Sequence, residues 1–70
     1  MTVYCLIEYD YDGSSILGIY REIRSAQVAA ELHWQNDPPH GERLGWGAPQ
    51  DGRRYSKRGN YLIEPHEVQP

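Results

Sequence analysis

The first apolar run, "TVYCLIEY" from Thr2 to Tyr9, does not alternate. Val3, Cys5 and Ile7 make one side apolar, and Tyr4 and Leu6 do the same for the other. A strand with one face in water alternates apolar and polar positions, whereas a strand covered on both faces reads as a continuous run. This segment therefore predicts a central strand. "DYDGSS" follows as turn material, with Asp12-Gly13 the hairpin signal, and "SILGIY" reads as the returning strand from Ser15 to Tyr20.

The period then changes. In "REIRSAQVAAELHWQND", Val28 and Leu32 stand four apart with Ala29 between them, and Ser25 is placed to accept hydrogen bonds from early helical amides. The spacing predicts a helix over 25–36. Pro38 and Pro39 lack backbone donors and restrict the residue before them, so continuation past Asp37 is not expected. Residues 37–59 hold five of the seven glycines and three of the five prolines. They read as an irregular excursion, with a small hairpin about "PQDG" as the alternative. "NYLIEPHEV" then reads as a last strand, where Pro65 is tolerable only at an edge or a bulge.

The order β, β, α, loop, β makes an α+β domain over residues 1–70. A crossover sets the last strand beside the first and antiparallel to it. The expected fold is a ββαβ unit: a three-stranded antiparallel sheet in the order 2-1-3, one helix over one face, and a long Gly/Pro-rich loop before the final strand. Its expected centre is Val3, Cys5, Ile7, Leu17, Ile19, Val28, Leu32 and Ile63. A chain of 70 residues buries only about 60% of the surface its unfolded form exposes, so any core is thin.

At 39% hydrophobic and 24% charged, the composition is that of a folded domain and not of a disordered chain. Six Tyr and two Trp supply all the aromatic mass, since Phe is absent. Such amphipathic rings suit a thin sheet with wet edges and equally a contact surface. The single cysteine, Cys5, excludes an internal disulfide framework and points to a reducing, cytoplasmic setting. "MTVYCLIEYD" has no basic leader, and its apolar run ends at Glu8, too soon for a signal peptide or a membrane span.

Charge alters the picture most. "DGRRYSKRG" gathers Arg53, Arg54, Lys57 and Arg58 around Tyr55, four of the seven basic residues of a chain with net charge −3. Cations beside an aromatic ring are the composition of segments that bind single-stranded nucleic acid through phosphates and stacking. A solubilising loop has the same composition, and the chain has neither helix-turn-helix spacing nor an RNA-binding sheet motif. Glu8, Asp10 and Asp12 put three carboxylates at one end of the hairpin, with Glu64 and Glu67 on the neighbouring strand. They make either a solvated surface or an acidic patch for a basic partner. Trp46, between two glycines, must close the core or meet a partner, and tryptophan is enriched among binding hot spots.

No constellation names a reaction. Cys5 with His33, His40 or His66 lacks an orienting third group and an oxyanion motif, and a cysteine inside an apolar strand packs as a small hydrophobe. The same residues lack the close paired spacing of structural zinc sites. "DYDG" opens like a calcium loop, but the later carboxylates fall out of register. We therefore expect no catalytic activity, no metal and no cofactor.

Three stretches, "VYCLIEYDYDGSSILGIY", "SAQVAAEL" and "YLIEPHEV", resemble small uncharacterised ββαβ proteins of bacteriophages and actinobacteria. The arrangement is also similar in shape to the small coliphage inhibitor of bacterial RNA polymerase. The resemblance implies a small interaction protein, phage-encoded and acting on a host macromolecule. The charge pattern suits such a protein, docking a protein partner through the acidic hairpin and the basic, aromatic loop. The partner-binding residues are then Glu8, Asp10, Asp12, Trp46, Arg53, Arg54, Tyr55, Lys57 and Arg58. One alternative is a nucleic-acid-binding accessory protein using the same loop. Another is a subunit that dimerises through an exposed strand edge.

Overall fold

The hairpin forms where the apolar runs place it. In the computed structural model, which describes residues 1–36 and 41–69, β1 (Thr2–Asp10) pairs antiparallel with β2 (Gly13–Tyr20). The connecting loop is Tyr11-Asp12, one residue earlier than the Asp12-Gly13 signal suggests, because Asp10 pairs with Gly13. The Asp10 Oδ1 accepts the Asp12 amide at 2.8 Å, and the unusual backbone angle passes to Gly13 at φ 131°. Glycine takes that region without a Cβ clash. A bulge between Leu6 and Ile7 shifts the register, so that Leu6 faces Gly18 and Ile7 faces Ile16.

Helix α1 spans Ile23–Asn36. It begins two residues before the expected Ser25 cap, and Ser25 is an exposed residue of its first turn. Its last residue is the expected one; Pro38, Pro39 and His40 lie outside the described residues. The expected three-stranded sheet is a four-stranded one, in the order β2-β1-β4-β3. β4 (Tyr61–Glu67) is the anticipated last strand and pairs antiparallel with β1, as expected. The additional strand, β3 (Arg54–Tyr55), pairs with Ile63 and Leu62 of β4.

The irregular excursion expected over 37–59 is, from Leu44 onward, a folded ribbon. Gln50 and Arg53 exchange both backbone hydrogen bonds, at 3.0 and 2.9 Å, around Asp51-Gly52. Both central residues have positive φ, 53° and 79°, as in the primed two-residue hairpin turn that Asp-Gly favours. The ribbon continues through Gly47 to Tyr55, Gly45 to Lys57 and Leu44 to Arg58. Its turn packs against Pro65, whose Cγ lies 3.1 Å from where a Cβ on Gly52 would stand. Pro65 fits its strand because β3 pairs only with Leu62 and Ile63, which leaves that part of β4 an edge in effect.

The core lies between the sheet and α1 and is built from Leu6, Ala26, Ala30, Leu44, Tyr61 and Ile63. Tyr4, Leu17, Tyr20, Ile23, Trp34 and Trp46 pack around it. Of the expected centre, Ile63 and Leu17 belong here. Register sets Cys5 and Ile19 opposite each other, alternating with Leu6 and Tyr4, so Val3, Cys5 and Ile7 line the face away from the helix. Val28, Leu32 and Ile19 are corrected outright: 52%, 58% and 63% exposed. The helix meets the sheet through alanines, whose small side chains let the two layers approach closely, while Val28 and Leu32 point outward.

Candidate interaction surface

Those outward residues form one wall of a groove. Val28 and Leu32, one helical turn apart, face Trp46 and Gly45 of the ribbon across an open cleft of about 380 Å³. Arg24 and Gln27 on the helix and Arg43, just before the ribbon, line it as well. Glu31 fixes the geometry. Its carboxylate accepts the Leu44 amide at 3.2 and 3.3 Å and the Arg43 Nε–H at 3.3 Å. These bonds fasten the start of the ribbon to the helix, with Leu44 in the core beneath. Arg43 is thereby balanced by Glu31, while Arg24 forms no ion pair among the described residues. The cleft is thus an apolar strip with a net positive rim, on a chain of net charge −3.

Trp46 packs against the core cluster and also lines the cleft. Trp34, at the other end of the helix, donates its indole N–H to the Glu42 carbonyl at 2.7 Å. The His33 Nδ1 and Tyr61 hydroxyl lie 2.6 Å apart, with the rings edge to face.

The basic stretch is not one patch. The Arg53 Nε–H bonds the Glu64 carboxylate at 3.2 Å, and Arg58 pairs with Glu42 at 2.6 Å while donating to the Arg43 carbonyl. Arg54 and Tyr55 lie in β3 with alternate orientation, Arg54 opposite Ile63 on the helix side and Tyr55 opposite Leu62 on the open side. Lys57 lies along Gly45. Arg54 and Lys57 make no ion pair among the described residues. The acidic residues are less remote than the charge segregation suggests. The Asn60 carbonyl, just past the basic stretch, accepts the Tyr9 amide at 3.0 Å, so this stretch and Glu8 share one end of the sheet. Asp10 and Asp12 project beyond it in the exposed hairpin turn.

On the open sheet face, Glu64 stands opposite Cys5, and His66 bonds Glu64 at 2.9 Å. These hydrogen bonds from His66, then from Arg53, hold the Glu64 carboxyl below the usual glutamate range; partial burial opposes them less strongly. Cys5 is buried, and no hydrogen bond joins its thiol to His66. His33, on the helix layer, is engaged by Tyr61. Among the described residues no group of three or more His, Cys, Asp or Glu side chains is arranged to hold a metal ion. No helix among them is long and apolar enough to cross a membrane.

Sequence reasoning missed Arg24, Arg43 and the outward placement of Val28 and Leu32. A signal was present. Ile23, Ala26, Ala30, His33 and Trp34 follow the i, i+3, i+7, i+10, i+11 spacing of one helical face, and they mark the packed side. No protein family, curated protein or solved structure matches this chain.

Proposed function

We propose that this is a small cytoplasmic binding protein without catalytic activity of its own, and that it docks a protein partner in the cleft between α1 and the ribbon. A phage protein acting on a host macromolecule, as the resemblance implies, would work in this way. The observation that carries the reading is the placement of exposed Val28 and Leu32 beside half-buried Trp46, under Arg24 and Arg43. A domain this small has few apolar side chains to spare from its core, yet it exposes two on the helix and fastens a tryptophan next to them. An aromatic anchor beside aliphatic groups with an arginine rim is the make-up of a binding hot spot. The positive rim selects the occupant: an apolar segment of a protein that carries carboxylates at its margins.

Affinity capture from the native host tests this, with Leu32→Asp as the matched control. The substitution lies at an exposed position, so the melt should be unchanged while the retained protein is lost, and Arg24→Glu should weaken retention in the same direction. Equal retention by Leu32→Asp, or retention of nucleic acid in place of protein, sinks the reading.

A further inference from the structure

The sheet has two very different edges. The β3 edge is two residues long and carries Arg53, Arg54 and Lys57 around it. The β2 edge runs from Gly13 to Tyr20 as GSSILGIY, eight residues with no charge and no proline. Among the described residues no strand lies beyond β2 in the sheet, and no backbone hydrogen bond reaches its outer side. Proteins that stay monomeric guard such an edge with charges, proline or a covering element, because its unpaired N–H and C=O groups template another strand. Here the guards stand only at the two ends, and they have opposite sign: the acidic Asp10 and Asp12 turn precedes β2, and Arg21 follows it, with Glu22 and then Arg24 beyond. In an antiparallel pair of identical strands the start of one lies beside the end of the other.

We infer that this chain forms a homodimer by antiparallel pairing of β2 with β2 of a second copy, joining two four-stranded sheets into one of eight strands. The pairing is isologous and closes on itself, since each copy offers the same edge. It satisfies the outer backbone groups of β2 and sets the Asp10–Asp12 turn of each copy beside Arg21 of the other. The open sheet face strengthens the case. Ile16 and Ile19 are 65% and 63% exposed, they lie on the edge strand, and they continue the apolar strip of Ile7 and Cys5 on β1. Across a β2–β2 seam the isoleucines of the two copies become cross-strand neighbours and cover one another. The charged row of Arg53, Glu64 and His66 lies at the far side of the sheet and stays in water. The inference is independent of the cleft between α1 and the ribbon.

Sedimentation equilibrium of the full chain from micromolar to millimolar concentration should show the mass rising from 8.1 kDa toward twice that value. Ile19→Lys should remain monomeric over the range, with a melt at the lowest concentration like that of the parent. Asp12→Lys and Arg21→Glu should each weaken association about tenfold, a difference of about 1.4 kcal/mol, and the double variant should recover most of it. That recovery separates a charge pairing between copies from a change confined to one. Leu32→Asp should dimerise normally. A parent that is monomeric at millimolar concentration, a dimer indifferent to Ile19→Lys, a double variant without recovery, or a dimer lost in Leu32→Asp would each overturn the proposal.

Discussion

Two leucines on opposite sides of the same layer show what sequence pattern can and cannot reveal about a single residue. Leu32 sits at a helical spacing and reads as core, yet it is exposed; Leu44 stands alone among glycines and prolines, carries no periodic signal, and is fully buried. Leu44→Ala should cost about 2 to 5 kcal/mol through lost contacts and the cavity left behind. Leu32→Ala should stay within about 0.5 kcal/mol, as surface substitutions do. Urea melts of the two variants check the order, and the reverse order would contradict the fold described above. Glu64 gives a pH dependence. Its carboxyl is held below the usual glutamate range by hydrogen bonds from His66 and Arg53, so the folded chain keeps it ionised at acidities where the unfolded chain protonates it. This contribution is fully present above the unfolded-state pKa and is lost as the pH falls through the lower folded value. Between neutral pH and that acid range, stability should therefore fall more steeply for the parent than for Glu64→Gln, as thermal melts at a series of pH values would show. Equal slopes would mean that these hydrogen bonds do not favour the charged form.

At the scale of elements, the reading succeeded where one period dominated. The continuous apolar run and turn residues of the first hairpin, the proline stop after the helix and the β-rich "YLIEPHEV" each gave an element close to its place. What failed was orientation. β1 is apolar on both faces, so nothing in it says whether Cys5 or Leu6 looks at the helix, and a slip of one position turns every side chain over. The helix was rotated for a related reason: Val28 and Leu32 outweigh alanines on any hydropathy count, but a thin two-layer domain uses alanine where backbones must come close. The ribbon was hidden because a strand pair rich in glycine and proline has little β propensity, and only "PQDG" hinted at its turn. That turn depends on backbone angles more than on contacts. Gly52 at φ 79° lies in the left-handed region, which costs about 1 to 2 kcal/mol for a residue with a Cβ, and the added atom would also press on Pro65 at 3.1 Å. Gly52→Ala should lower stability by about that amount or somewhat more, while Asp51→Asn, a residue at home in the same turn, should be neutral. Thermal melts decide, and an unperturbed Gly52→Ala would show that the ribbon is not held by this turn.

For the whole molecule, the informative quantity is how charge is distributed once the chain has folded. Four cations within six positions look in sequence like a polyanion site. Folding engages Arg53 with Glu64 and Arg58 with Glu42, and places Arg54 in β3 and Lys57 beside Gly45. Two cations without carboxylate partners then face a chain of net charge −3, with Glu8 near the end of the same stretch. Each contacted phosphate of duplex DNA contributes about 0.9 to the slope of log affinity against log salt. Two contacts therefore give a slope near −2, well short of the six to ten contacts whose release of counterions drives strong non-specific binding. Tyr55 does not restore the deficit, because its ring lies on the open sheet face while Arg54 beside it turns to the other side. The protein should accordingly show no measurable affinity for mixed-sequence DNA or RNA at physiological salt, by fluorescence anisotropy with labelled single and double strands. Leu32→Asp and Ile19→Lys should leave that result unchanged, since neither substitution touches the basic stretch. Micromolar binding that weakens steeply with salt and disappears when Arg53, Arg54, Lys57 and Arg58 are all replaced by Ala would show that the folded charge distribution has been misjudged. The basic stretch, and not the cleft beside Trp46, would then be the working surface of the molecule.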